Sequence, residues 1–201
     1  MARPKQVTDE KLLKVALKCF LVYGHEVSTQ IIADQVGLSQ PALFKRFGTK
    51  EEMFLRAVAP PEDLPILDWL DASPTSEPFR PQLVELLKKV GETLSWVLPR
   101  VQLLRAARIP REIVMSRYKV PPPDRLMISV AGFFERVRQQ GQLRKVVDPR
   151  LASQWVFGLN MGGNFLVETM PHKIGSKENA EFVESAADML CNGIIEDKGG
   201  G

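Results

Sequence analysis

Residues 28–47 read STQIIADQVGLSQPALFKRF, and this stretch decides the fold. Ser28 or Thr29 is placed to cap a helix that runs to about Val36; Gly37 interrupts it, and Ser39 caps a second short helix through about Phe47. Two helices joined by so short a turn must cross steeply. Ala33 is small where the second helix of the pair comes close, Gly37 takes the positive φ that the turn needs, and Leu38 and Leu43 join Ile32 and Val36 in filling the angle. Gln40, Pro41, Ala42, Lys45 and Arg46 are left facing outward. The N-terminus of this helix aims backbone donors away from the core, and Lys50 begins the next helix. Such a helix suits insertion in a major groove, with phosphates gripped on either side. A helical hairpin that only packs can carry the same Ala–Gly–Leu spacing. The basic character of the short helix, the caps on both sides and an apolar supporting helix set this one apart.

That supporting helix is expected over residues 8–24. Thr8 caps it, Asp9 and Glu10 suit the positive end of its dipole, Gly24 ends it, and Leu12, Val15, Ala16, Cys19 and Phe20 recur on one face. Downstream, Thr49 to Glu52 has the form of a capping box and starts a fourth helix toward Val58. Six prolines between Pro60 and Pro81 mark a linker or irregular segment, with room for one short helix at Ile66–Leu70. Helical periodicity returns over 82–98, with its continuation through 100–108 beyond Pro99 left open, then over 124–140, 149–170 and 178–196. No alternating strand pattern and no repeat interrupts this, so the fold class is all-α. We expect an N-terminal three-helix helix-turn-helix domain over 1–56 and a helical effector-binding and dimerisation domain over 57–198.

Composition is that of a globular chain: 44% hydrophobic and 25% charged residues exclude global disorder. The first 56 residues hold nine Lys or Arg against six Asp or Glu, so this quarter carries the whole formal excess of +3. A local positive field of that size suits phosphate contact and is equally compatible with an ordinary solvated surface. No secretory signal and no membrane-spanning run is legible. The distant cysteines Cys19 and Cys191 fit a reducing compartment, and a cytoplasmic location is expected.

The motifs LLKVALKCFLVYG (12–24) and IADQVGLSQPALFKRFGTKEEMF (32–54) resemble the first helix and the recognition unit of the TetR family of bacterial repressors. That family usually has aromatics where Phe44 and Phe47 stand and a lysine where Lys50 stands. The stretch between Gly24 and Ile32 is one residue shorter than usual, and His25 replaces a common aromatic. The resemblance implies that Thr29 and Gln30 touch DNA from the start of the second helix. It implies that Ser39, Gln40, Pro41, Ala42, Phe44, Lys45 and Arg46 face the groove or its walls, and that Lys50 binds a phosphate. Chemically, Gln40 is the best base reader, since an amide pairs bidentately with adenine, while Pro41 and Ala42 suit thymine methyls. Arg3 and Lys5 form a basic arm, for which backbone contact and plain solubilising charge are equal readings.

A single helix-turn-helix has too small a footprint for tight specific binding, which predicts a homodimer on a near-palindromic double-stranded DNA operator. Trp155, Leu159, Gly162 and Leu166 on one late helix, and Phe182, Ala186, Met189 and Leu190 on the last, form stripes suited to a four-helix interface, or to the subunit's own core. The family resemblance places dimerisation on these last two helices, and GQLRKVVDPRLAS (141–153) looks like its approach to the first of them. Trp96, Leu103, Met115, Tyr118, Met127 and Phe133 are candidate walls of a pocket for a small hydrophobic effector of unreadable identity. The mechanism the resemblance implies is two-state. The effector favours a form whose recognition helices no longer match one DNA turn, about 34–36 Å, and the helix from Thr49 to Val58 is the lever.

No cofactor and no metal site is expected, because His25 and His172 share no ligand spacing. An enzyme has little support. Ser116 and Lys119 match an SxxK pattern without its companion motifs, and no GxSxG, Walker loop or HExxH is present. A helical protein-binding adaptor without DNA binding is the other competing reading, and the sign of regulation, repression or activation, is open.

Overall fold

The computed structural model describes residues 7–73, 78–169 and 176–194, apart from the side chains of 166–169, 176–179 and 193–194. The arm residues Arg3 and Lys5 and the glycine tail lie outside them. Among the described residues the secondary structure is helical with no β-strand: α1 Asp9–Tyr23, α2 Thr29–Val36, α3 Gln40–Phe47, α4 Lys50–Val58, α5 Ile66–Ala72, α6 Phe79–Ala106, α7 Arg111–Met115, α8 Pro122–Gln139, α9 Pro149–Thr169 and α10 Ser176–Ile194. They form two compact units. The first holds residues up to Pro60 together with Val97–Lys119; the second holds Pro61–Trp96 and Val120 onward. The first unit thus includes a segment, 97–119, that the sequence reading had placed with the C-terminal body.

In the first unit the helix ends obey local chemistry. Thr8 Oγ1 accepts from the Lys11 N–H at 3.3 Å, Ser28 Oγ from Gln30 at 3.2 Å, Ser39 Oγ from Ala42 at 3.4 Å and Thr49 Oγ1 from Glu52 at 3.0 Å. α2 stops where Gly37 enters the left-handed region at φ 69°. The Gly37 N–H then reaches Asp34 O and the Leu38 N–H reaches Ala33 O, a Schellman closure that turns the chain into α3. The capping box is half-made. Glu52 does not return to the Thr49 N–H, which donates to Phe47 O instead; its carboxylate grips Arg117 at 2.6 and 3.2 Å. A guanidinium offers two charge-assisted bonds where the backbone offers one neutral bond. The core gathers Leu12, Ala16, Cys19 and Phe20 of α1, Ile32 and Ala33 of α2, Leu43 and Phe47 of α3, and Met53, Phe54 and Val58 of α4. Phe20 meets Phe54 edge to face at 4.8 Å. His25, the residue that departs from the family pattern, also lies edge-on to Phe54.

The end of α6 and α7 complete this unit. Leu104 and Val114 are buried in its core, and Leu103, Met115 and Tyr118 pack on it. Tyr118 donates its hydroxyl proton to Pro60 O. The sequence reading missed α7, whose five residues are too few for periodicity to register. It left open whether the helix continues past Pro99; α6 runs through it without interruption. A proline costs its helix one backbone bond, a loss that flanking apolar packing can offset.

The second unit is centred on Phe133, fully buried among Phe79, Phe134 and Trp69, the last stacked on it at 5.8 Å. Arg136 donates to Leu70 O and Ser73 O and so satisfies carbonyls at the end of α5. Arg80 at the start of α6 bridges Asp188 and Glu184 of α10 at 2.6 and 3.0 Å. Both cysteines are buried free thiols, pushed up in pKa by burial.

Candidate nucleic-acid interface

α3 has eight residues, too short to persist alone. Two side chains one turn apart, Leu43 at 1% exposure and Phe47 at 4%, hold it down. Burying each contributes about 2–3 kcal/mol before entropy is counted. The opposite face then projects. Pro41, Phe44 and Lys45 are exposed, Gln40 and Ala42 half-buried, and Ser39 stands at the N-terminus as the cap.

The ten residues expected to contact DNA separate by what already holds them. Lys45 and Lys50 have no acidic partner among the described residues and keep their charge available to phosphate. Gln30 is exposed on α2, its amide donating to Asp34 at 2.6 Å. Two residues depart from expectation. Thr29 is buried at 8% exposure and accepts a hydrogen bond from Gln40 Nε2 at 2.7 Å, so it offers DNA little surface. Arg46 turns back to donate to Val7 O and to pair with Asp9 at 3.4 Å, bracing the start of α1. Asp9 also faces Arg56 at 3.8 Å, and Arg56 lies over the Phe47 ring at 4.8 Å. Read along the chain, Asp9 has only a helix-dipole role. Its second use, as anchor for two arginines, needs three-dimensional proximity that no spacing reports.

The expected pocket walls do not come together within either unit. Leu103, Met115 and Tyr118 pack on the first unit's core, because Tyr118 is tied to Pro60 and the neighbouring Arg117 to Glu52. Phe133 is closed within the aromatic cluster of the second unit, where Met127 and Trp96 are half-buried.

The stripe expected to pair subunits is different. Trp155 is 65% exposed, Met189 74% and Phe182 38%. With Leu159, Ala186 and Leu190 they line a groove of about 370 Å³. Gly162 is exposed with open space around it, and Ala186 is turned into its own unit at 5% exposure. The side chain of Leu166 lies outside the described residues. Ser116, of the SxxK pattern, donates to Ile113 O at 3.1 Å. Among the described residues there is no cluster of three or more metal-ligating side chains, and no helix is long and apolar enough to cross a membrane.

Residues 12–57 match the family model for bacterial regulatory proteins of the tetR family. No curated protein sequence matches the chain. Among solved structures, a TetR-family transcriptional regulator from Mesorhizobium loti superposes with a TM-score of 0.72 at 19% identity, over 94% of this chain and 96% of that one. A transcriptional regulator from Saccharomonospora viridis in complex with choline gives 0.70 at 17% identity, over 94% and 97%. SmeT, the repressor of the Stenotrophomonas maltophilia multidrug efflux pump SmeDEF, gives 0.60 at 19% identity, over 96% and 93%. At these identities the likeness establishes the fold, and the family model establishes the kind of N-terminal domain. The N-terminal domain belongs to the TetR family of bacterial regulatory proteins, and the chain that carries it has the fold of that family's regulators.

Proposed function

We propose that this protein is a DNA-binding transcriptional repressor that acts as a homodimer on a near-palindromic operator and is released from it by a small hydrophobic effector. The observation that carries the DNA-binding part is α3 itself: clamped by Leu43 and Phe47, capped by Ser39, with Gln40, Pro41, Phe44 and Lys45 turned outward. Gln40 reads a base, Pro41 and Ala42 pack on thymine methyls, and Lys45 and Lys50 hold phosphates. Arg46 supports the unit's N-terminal edge. The domain division is functional, with recognition near the N-terminus and effector binding and pairing in the remainder.

The homodimer reading rests on the uncovered apolar face of α9 and α10. Monomers seldom leave Trp, Phe and Met this exposed beside one another. A second copy covers it symmetrically. Release by a hydrophobic effector is supported by the regulators of this fold, one of which, SmeT, is solved with the apolar molecule triclosan. The test is selection of genomic fragments by the purified protein, followed by titration of the recovered duplex at several salt concentrations. The reading requires a near-palindromic site and a steep salt dependence. A strictly monomeric protein that ignores duplex DNA at low ionic strength overturns it.

A further inference from the structure

Thr29 and Gln40 are eleven residues apart, on different helices, yet their side chains meet: Gln40 Nε2 donates to Thr29 Oγ1 at 2.7 Å. The two ends of this bond differ in stiffness. Thr29 has one side-chain torsion, sits in the first turn of α2 and is 8% exposed, so the packing around it confines its oxygen. A glutamine on a projecting helix ordinarily sweeps through many rotamers, and its terminal amide also turns end for end. Here Gln40 is half-buried and tied. One of its two N–H bonds goes to Thr29. The other N–H and the carbonyl oxygen remain: one donor beside one acceptor, the set an adenine edge requires. Turned end for end, with Thr29 donating to Oε1, the same amide would offer two donors and suit guanine, whose edge carries two acceptors.

We propose that Thr29 is a positioning residue for base recognition: it fixes the orientation of the Gln40 amide before DNA arrives, and so sets the preference of adenine over guanine instead of gripping a phosphate. This rests on Gln40 being the base reader. Orienting the reader in the free protein removes an ordering cost from the binding step and excludes the orientation that accepts the wrong purine.

The experiment uses the full chain and the duplex it selects, with each base in turn at every position of the half-site, titrated at fixed salt and then across salt. Wild type should prefer adenine over guanine at one position by about tenfold, within the range of a bidentate contact. Gln40→Ala should erase that preference. Thr29→Val keeps the shape and loses the hydroxyl. It should shrink the adenine-to-guanine ratio to about twofold with the salt slope unchanged, and it should add nothing in the Gln40→Ala background. Thr29→Ser should restore the ratio. If Thr29→Val instead weakens every duplex alike and flattens the salt slope by about one, Thr29 is a phosphate contact and the proposal fails. An unchanged ratio, or a wild-type preference for guanine, also overturns it. If Gln40→Ala leaves all base preferences intact, the underlying base-reader assignment falls, a failure distinct from that of Thr29. Should Thr29→Val not fold, the side-chain amide of Gln40 in free wild type decides. Rigidity near that of the backbone, an order parameter of about 0.85, supports the proposal, and values below about 0.6 overturn it.

Discussion

α3 and the α9–α10 face are built inside out with respect to each other. On α3 two large apolar groups, Leu43 and Phe47, point inward, and what projects is mixed: Gln40 and Lys45 beside the Phe44 ring. On α9 the buried positions include Ser153 and Asn160, which satisfy themselves on their own helix: Ser153 Oγ donates to Arg150 O at 2.7 Å and Asn160 Nδ2 to Val156 O at 2.9 Å. What projects there is Trp155 and Phe165, with Met189 on α10. A helix that shows a cation and an amide beside a single ring is prepared for a polar, charged partner. One that hides its polar groups and shows hydrophobes is prepared for a surface like its own. The contrast teaches that the two ends of this chain are finished for different chemistries, although both are plain amphipathic helices by period.

The largest effect should come from undoing the inward half of α3. Phe47→Ala removes a ring buried at 4% exposure and should cost about 3–5 kcal/mol in denaturant unfolding of the first unit, abolishing DNA binding with it. Survival of both would mean that α3 is not held from within. Next, Trp155→Ala should weaken self-association by about 30-fold or more if the ring is an anchor of a paired interface, as sedimentation over a concentration series would record. The helical circular dichroism should stay unchanged, because the side chain is 65% exposed in the single chain. An unmoved association constant would remove the contrast. Smaller again, Lys50→Ala should lower affinity for all duplexes equally and reduce the salt slope by about one, leaving base preferences alone.

The smallest effect concerns Glu52, whose carboxyl is held below the ordinary value near 4.5, chiefly by its hydrogen bonds from Arg117. A depressed folded-state pKa means the unfolded chain binds the proton more readily. The clamp's contribution is therefore whole above the ordinary value and fades as pH falls through the lowered one. Both side chains are substantially solvated, at 41% and 32% exposure, so Glu52→Gln should cost only about 0.5–1 kcal/mol at neutral pH. The difference from wild type should vanish in acid. A difference that persists there would point to packing and not charge.

The order of helices was legible because caps and apolar periods agree along the chain: Thr8, Ser39 and Thr49 each cap the helix expected of them, and of the two candidates Ser28 and Thr29 it is Ser28 that caps α2. The α2–turn–α3 corner was legible for the same reason, since its elements are local. What escaped was non-local. That Arg46 faces Val7 and Asp9, 39 and 37 residues away, follows from α1 and α3 sharing one core with α4, and no window of sequence contains both. Thr29 was expected to touch DNA on the strength of the family resemblance; its bond from Gln40 joins two helices across eleven residues, and no local pattern reports it. Leu103, Met115 and Tyr118 were grouped by size and apolarity with Met127 and Phe133, and those properties do not say which core a side chain joins.

The corner at Gly37 has a consequence of its own. An added β-carbon would meet nothing within 4 Å, so room is not what keeps the position bare. What resists a side chain is chirality: at φ 69° an L residue such as alanine pays about 1–2 kcal/mol, whatever its bulk. The site should be blind to volume and alert to stereochemistry, and a D-alanine introduced by chemical synthesis should be welcome where L-alanine is not. The tilt of α3 against α2 is thus written in the handedness of one torsion.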